Sequence, residues 1–250
     1  MAAGMASQGL LPVFAVYSTF LQRGYDMLVH DTALQKLHAV LAVDRAGLVG
    51  PDGETHHGCL DISYLTGIPG FTVLCPASFA ELRSMLRQAL YEIPGPVALR
   101  YPRGGEGAFT ADTSAQAVVS LRDGRQAALI SYGTLINQTL AAAEALEVQG
   151  ISVKVIKLNR IAPLDTDTIL KETAQMDAVL VLEDCFENGS VGQQIAAAMA
   201  EAGQHCPHVI LQNLKDHFAP EGTVEELRQR FGLDAASVAK TIEEAMACEQ

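Results

Sequence analysis

The sequence predicts an α/β fold of two domains, each a mostly parallel sheet flanked by helices. Three observations predict it. Short apolar runs alternate with amphipathic stretches from end to end, those runs have the length and composition of buried strands, and a polar, glycine-containing stretch interrupts the pattern once near the middle. With 250 residues, 49% hydrophobic and 18% charged, the chain can bury a sizeable core.

Val13–Tyr17 reads as the first strand. A helix over Gln22–Gln35 is expected next, because Tyr25, Leu28, Val29 and Thr32 recur at helical spacing. Ala39–Val43 and Thr72–Cys75 are further strands. Ser78 then caps a helix reaching Tyr91, with Glu81 three residues on as a capping box, and the turn Ile93-Pro-Gly-Pro96 ends it. Val97–Tyr101 follows as a strand. Residues 1–105 are expected to form the first domain.

From Gly104 to Gly124 no core face is visible, and residues 106–124 are expected to be a linker. Residues 125–250 then form a second α/β unit. It opens with strand Ala127–Tyr132, helix Leu135–Gln149 ended by Gly150, strand Val153–Leu158 and a helix begun by Pro163-Leu-Asp165. Strand Ala178–Leu182, helix Val191–Ala202, strand His208–Leu211 and a helical tail complete it. There is no internal repeat.

The formal charge of −12 disfavours nucleic acid and anionic lipid as partners. No apolar run approaches the ~18 residues needed to cross a bilayer, and no secretory leader precedes the first strand, so a cytoplasmic location is expected. Cys59, Cys75, Cys185, Cys206 and Cys248 form no CxxC pair and are expected to be free structural thiols. The turn from Glu183 to Gly192 carries only part of a dinucleotide-binding pattern, with acids where pyrophosphate would sit, and is expected to cap a helix or contact a subunit.

The stretch from Asp44 to Gly58 packs three acids, an arginine, two histidines and four glycines behind a buried strand, and reads as an active-site loop. Arg23, Arg45, Arg100 and Arg103 lie near strand ends, where guanidinium groups could grip a small phosphate or carboxylate despite the global charge.

Four motifs in order, Tyr17-Ser-Thr-Phe-Leu-Gln-Arg23, Asp44-Arg-Ala-Gly47, Asp52-Gly-Glu-Thr-His56 and Leu99-Arg-Tyr-Pro-Arg-Gly104, make the chain resemble the rear portion of the 1-deoxy-D-xylulose 5-phosphate synthase family. The resemblance implies a pyrimidine-binding domain, truncated at its N-terminus, followed by a transketolase C-terminal domain. It implies condensation of pyruvate with glyceraldehyde 3-phosphate, with loss of carbon dioxide, on thiamine diphosphate and Mg2+. By the same resemblance Phe20 stacks on the cofactor's aminopyrimidine and Arg23 lines that pocket. Tyr17, Arg45 and one or both of Arg100 and Arg103 bind the phosphate and polar groups of the acceptor, while Asp52 and His56 handle protons and carboxylate positioning around the thiamine adduct. Taken singly, each of these residues has a bland reading as core, surface ion pair or loop tether.

The family's glutamate on the helix ending at Ala2-Ala-Gly-Met-Ala-Ser-Gln-Gly9 does not occur here, nor does the Gly-Asp-Gly motif that holds magnesium and diphosphate. The chain alone is therefore expected to be inactive and to need a complementary N-terminal half. Apolar surface is expected to be exposed unless another chain covers it, and a homo-oligomer, at least a dimer, is expected. Two other readings stand beside this one. One is a 2-oxo-acid dehydrogenase β-type subunit, which YSTFLQR argues against; the other is a non-catalytic assembly subunit that senses a phosphorylated metabolite. Lys215-Asp-His-Phe-Ala-Pro-Glu-Gly222 places a histidine where the family more often has an apolar residue, which leaves the role of that loop open.

Overall fold

The computed structural model describes residues 1–203 and 207–248. Cys206 lies outside the described residues, as does the side chain of Cys248. The strands are β1 (Val13–Tyr17), β2 (Val40–Asp44), β3 (Thr72–Leu74), β4 (Val97–Arg100), β5 (Val118–Arg122), β6 (Ala127–Tyr132), β7 (Val153–Leu158), β8 (Arg160–Ala162), β9 (Ala178–Leu182) and β10 (His208–Gln212). The helices are α1 (Ala2–Ala6), α2 (Ser18–Leu21), α3 (Tyr25–Met27), α4 (Asp61–Leu65), α5 (Phe79–Tyr91), α6 (Ile136–Val148), α7 (Thr166–Thr173), α8 (Val191–Ala202), α9 (Val224–Arg230) and α10 (Ala235–Cys248).

Two five-stranded sheets result, ordered β1-β2-β4-β3-β8 and β10-β9-β6-β7-β5. All pairings are parallel except β3 with β8 and β5 with β7. The α/β expectation holds for both sheets. β2, β4, β6 and β9 are apolar runs buried on both faces because helices cover both sides of a parallel sheet. One core cluster is continuous between the sheets, joining Leu41, Val43 and Ile62 of the first unit to Ile130, Ile156 and Val181 of the second.

Three local expectations differ from the structure. The segment read as a linker contains β5, an edge strand paired with β7 through Val118↔Leu158. An edge strand buries little, so Val118–Arg122 carries too weak a core face to be read from its pattern. β8 has three residues, too few for any periodicity, and it crosses from the second unit to close the first sheet against Val73. The helix expected over Gln22–Gln35 is broken. Gln22–Gly24 is a 3₁₀ turn, and Leu28–Ala33 is a wide π-type turn in which Leu34 N donates to Val29 O at 2.9 Å. Gly24 weakens the helix in its first turn, and Thr32 turns its hydroxyl back onto the Met27 carbonyl.

The cap of α5 is half of the expected capping box. Ser78 Oγ accepts from Glu81 N at 3.1 Å, but the Glu81 carboxylate accepts from Ala77 N at 2.8 Å rather than from Ser78 N. β1 is a free edge whose Val13 and Phe14 are 49% and 44% exposed, with Leu10, Leu11, Met5 and Met27 exposed nearby.

Candidate active site

Tyr17 and Asp44 end β1 and β2 in register, so the residue after Asp44 must lie beside the Tyr17 ring. That residue is Arg45, in the left-handed region with φ +56°. The conformation costs an ordinary side chain about 1–3 kcal/mol. Arg45 N donates to Asp44 Oδ1 at 2.7 Å and secures the kink. The guanidinium then lies 4.2 Å from the Tyr17 ring centroid, and Nη1 donates to Asp52.

Asp52 ends a short 3₁₀ turn, Gly50–Asp52, and receives a second arginine, Arg103, whose Nη1 donates to Oδ1 at 2.7 Å. Desolvation pulls this carboxyl upward. The hydrogen bond and charge of Arg103 and the charges of Arg45 and His56 outweigh it and hold Asp52 below the ordinary value of 3.8. Phe20 stacks on Tyr17 with centroids 5.5 Å apart and meets the His56 ring edgewise at 5.5 Å. Thr19 Oγ1 donates to Thr55 O at 2.9 Å, tying α2 to the loop. The fold thus brings Tyr17, Phe20, Arg45, Asp52, His56 and Arg103 into one contiguous cluster.

Arg23 lies beside it, in a cleft of about 460 Å³ that it lines with Phe20, Glu54, His57, Phe186 and Phe218. The last two come from the second unit and meet edge to face, centroids 5.4 Å apart. His57 binds both sides of this cleft: Val49 N donates to Nδ1 at 3.1 Å, which leaves Nε2 to donate to Pro220 O at 3.1 Å. The loop from Lys215 to Gly222 therefore forms part of the wall, through Phe218 and Ala219, while His217 is exposed beside Asp216. Sequence reasoning missed this wall, since nothing local marks Phe186 or Phe218 as neighbours of Phe20.

Arg100 is not in the cluster. Its side chain is 5% exposed, with Nε donating to Asp61 at 2.9 Å and Nη2 to Asp184 at 3.0 Å. Burial works against its charge, but the two carboxylates hold it fully protonated; burial also pushes the Asp61 carboxyl up against the pull of Arg100. Cys59, Cys75 and Cys185 are free and buried around it, and burial raises all three thiols, Cys75 to about 12, which makes them poor nucleophiles.

The partial dinucleotide pattern resolves as a helix cap. Ser190 caps α8, and the buried Glu183 carboxylate accepts from Val191 N at 2.9 Å and Gly192 N at 2.8 Å, where a phosphate would otherwise bind. Among the described residues, no group of three or more His, Cys, Asp or Glu is arranged to hold a metal ion, and no helix is long and apolar enough to cross a membrane.

Residues 1–105 match the transketolase pyrimidine-binding domain family, and residues 116–238 match the transketolase C-terminal domain family. Curated relatives described as 1-deoxy-D-xylulose-5-phosphate synthase include those of Chlorobaculum tepidum, 45% identical over 96% of this chain, and Magnetococcus marinus, 42% identical over 98%. The chain spans 39% and 40% of the length of these two relatives. Among solved structures, a split-gene transketolase described as an inactive β4 tetramer aligns with TM-score 0.88 and 24% identity, covering all of this chain and 80% of that one. A Pichia stipitis transketolase variant aligns with TM-score 0.78 and 15% identity, covering 94% of this chain and 34% of that one.

Proposed function

The chain belongs to the transketolase family, carrying its pyrimidine-binding and C-terminal domains, and from this we propose that it is the C-terminal part or subunit of a 1-deoxy-D-xylulose 5-phosphate synthase. The proposed reaction condenses pyruvate with glyceraldehyde 3-phosphate and releases carbon dioxide. The observation that carries it is the pair of arginines, Arg45 and Arg103, converging on Asp52 beside the Tyr17 and Phe20 rings. Two guanidinium groups at one point suit a phosphorylated acceptor, since each can give two parallel hydrogen bonds to phosphate oxygens.

In this reading Arg45, Arg103 and Tyr17 hold the acceptor, and Asp52, kept ionised by its arginines, accepts and orients a hydroxyl rather than donating a proton. His56, in edge contact with Phe20, is the group that moves a proton. Phe20, with 44% of its surface exposed and Arg23 beside it in the cleft, fits a flat heteroaromatic ring such as the aminopyrimidine of thiamine diphosphate. When bound, that cofactor supplies the nucleophilic carbon that adds to a 2-oxo acid. Among the described residues no group of three or more His, Cys, Asp or Glu is arranged to hold magnesium, so in this reading the metal, with the diphosphate it would bridge, falls to a complementary N-terminal half. The same fold occurs as a separate chain in a split-gene transketolase, which supports that division, and the exposed edge of β1 offers a surface for the other half.

The test mixes this chain with an N-terminal half from a curated relative and assays carbon dioxide release and product from glyceraldehyde 3-phosphate. Activity only in the mixture is expected. A stable complex with no activity would remove the split-enzyme reading.

A further inference from the structure

We propose that Asp184, acting through Arg100 and the paired glycines Gly47 and Gly58, is a positioning residue for the loop that carries Arg45, Asp52 and His56. The proposal rests on the reading of that loop as the acceptor-binding loop. Asp184 follows β9 in the second sheet, whereas Arg100 ends β4 in the first, so their 3.0 Å contact joins the two units.

The loop closes at a neck of two backbone hydrogen bonds, Gly47 N to Gly58 O at 2.9 Å and Gly58 N to Gly47 O at 2.8 Å. Everything between, including Asp52 and His56, hangs from this neck. Asp184 supports it from below. The Asp184 carboxylate fills the space a Cβ on Gly47 would need, so the loop can seat there only because residue 47 is glycine, at φ +72°. Gly58 is equally closed, since a Cβ there would overlap the Arg45 carbonyl and the Ser18 side chain. Two further contacts meet the same point: Arg100 Nη2 lies 3.5 Å from Gly58 O, and Phe186 N donates to Cys59 O at 3.2 Å.

The two carboxylates on Arg100 divide the work. Asp61 is 0% exposed and pairs with Nε, so it compensates the buried charge, while Asp184 is 15% exposed and touches the neck. Removing Asp184 still leaves Arg100 its fully buried partner, and the fold can survive while the loop loses its seat.

The experiment is amide hydrogen exchange on the full chain, comparing the parent with Asp184→Ala and Asp184→Asn. Exchange in peptides spanning 46–58 is expected to accelerate about tenfold or more in Asp184→Ala, with β6 and β9 changing by less than about twofold, and Asp184→Asn is expected to restore most of the protection because its amide oxygen still accepts from Arg100. The proposal is overturned if exchange in 46–58 is unchanged in Asp184→Ala. It is equally overturned if 46–58 and the sheet accelerate together, or if Asn behaves as Ala. No substrate or partner enters this measurement, so its failure is distinct from a failure of the carboligation assay.

Discussion

Lys157 of β7 and Glu81 of α5 form an ion pair at 2.9 Å with neither side chain exposed. It joins the two units a second time with the charges reversed, the second unit supplying the cation where Arg100 comes from the first. Glu81 also accepts from the Thr113 hydroxyl at 2.6 Å, and Asn159 Nδ2 donates to the carbonyls of Thr113 and Gln116 at 2.6 and 2.9 Å, so the segment before β5 is pinned to the pair. Burial lowers the Lys157 ammonium while the Glu81 charge opposes it. Lys157→Met leaves the carboxylate buried without its cation and is expected to cost about 3–5 kcal/mol, read by urea denaturation. A loss under about 1 kcal/mol would mean Thr113 and Ala77 suffice for Glu81.

Arg45→Ala removes one of two guanidinium groups at Asp52 and the cation over Tyr17. Affinity for glyceraldehyde 3-phosphate is expected to fall about tenfold or more by calorimetry, and further with Arg103→Ala. Unchanged affinity in both variants would place the phosphate elsewhere.

Asp52 sets a pH dependence whose sign follows from its lowered folded value. The arginine pairing contributes above the ordinary carboxyl value of 3.8 and is lost as pH falls through the lower folded value. Carbon-detected NMR titration should give a midpoint below 3.8 in the parent chain, moving up toward 3.8 in Arg103→Ala. A midpoint that ignores Arg103 would contradict the pairing.

Gly47→Ala sets a Cβ against the Asp184 carboxylate at a positive φ. The expected loss is about 1–3 kcal/mol in thermal unfolding. Combining it with Asp184→Ala should recover part of that loss, because the overlap is gone while the backbone strain remains.

The free edge of β1 predicts association. Phe14→Asp is expected to weaken binding of the complementary half in sedimentation velocity while leaving the circular dichroism of the chain unchanged, since the Phe14 side chain is 44% exposed. Undiminished binding would direct the partner to another face.

The α/β class, the strands other than β5 and β8, and the cap at Ser78 were legible because each depends on residues close together in the chain: apolar runs for buried strands, a hydroxyl three residues before a free N–H. The motif residues Tyr17, Phe20, Arg45, Asp52, His56 and Arg103 were named through the family resemblance their motifs carry, and the register of β1 against β2 is what sets Arg45 beside Tyr17. Arg100 could not be told from Arg103 by sequence. The two are three residues apart in one motif, yet Arg100 still lies within β4 and turns into the core, while Arg103, beyond the strand, meets Asp52.

The sequence by itself determined the buried parallel strands and the longer helices, and which side chains can bear charge or stack. Only the tertiary structure decided that Asp184 seats Gly47, that Phe186 and Phe218 wall the cleft, that β8 completes the first sheet and that Glu81 finds Lys157. Those contacts join residues tens of positions apart through burial and charge pairing, which depend on where the packed sheets bring them and leave no periodic trace along the chain.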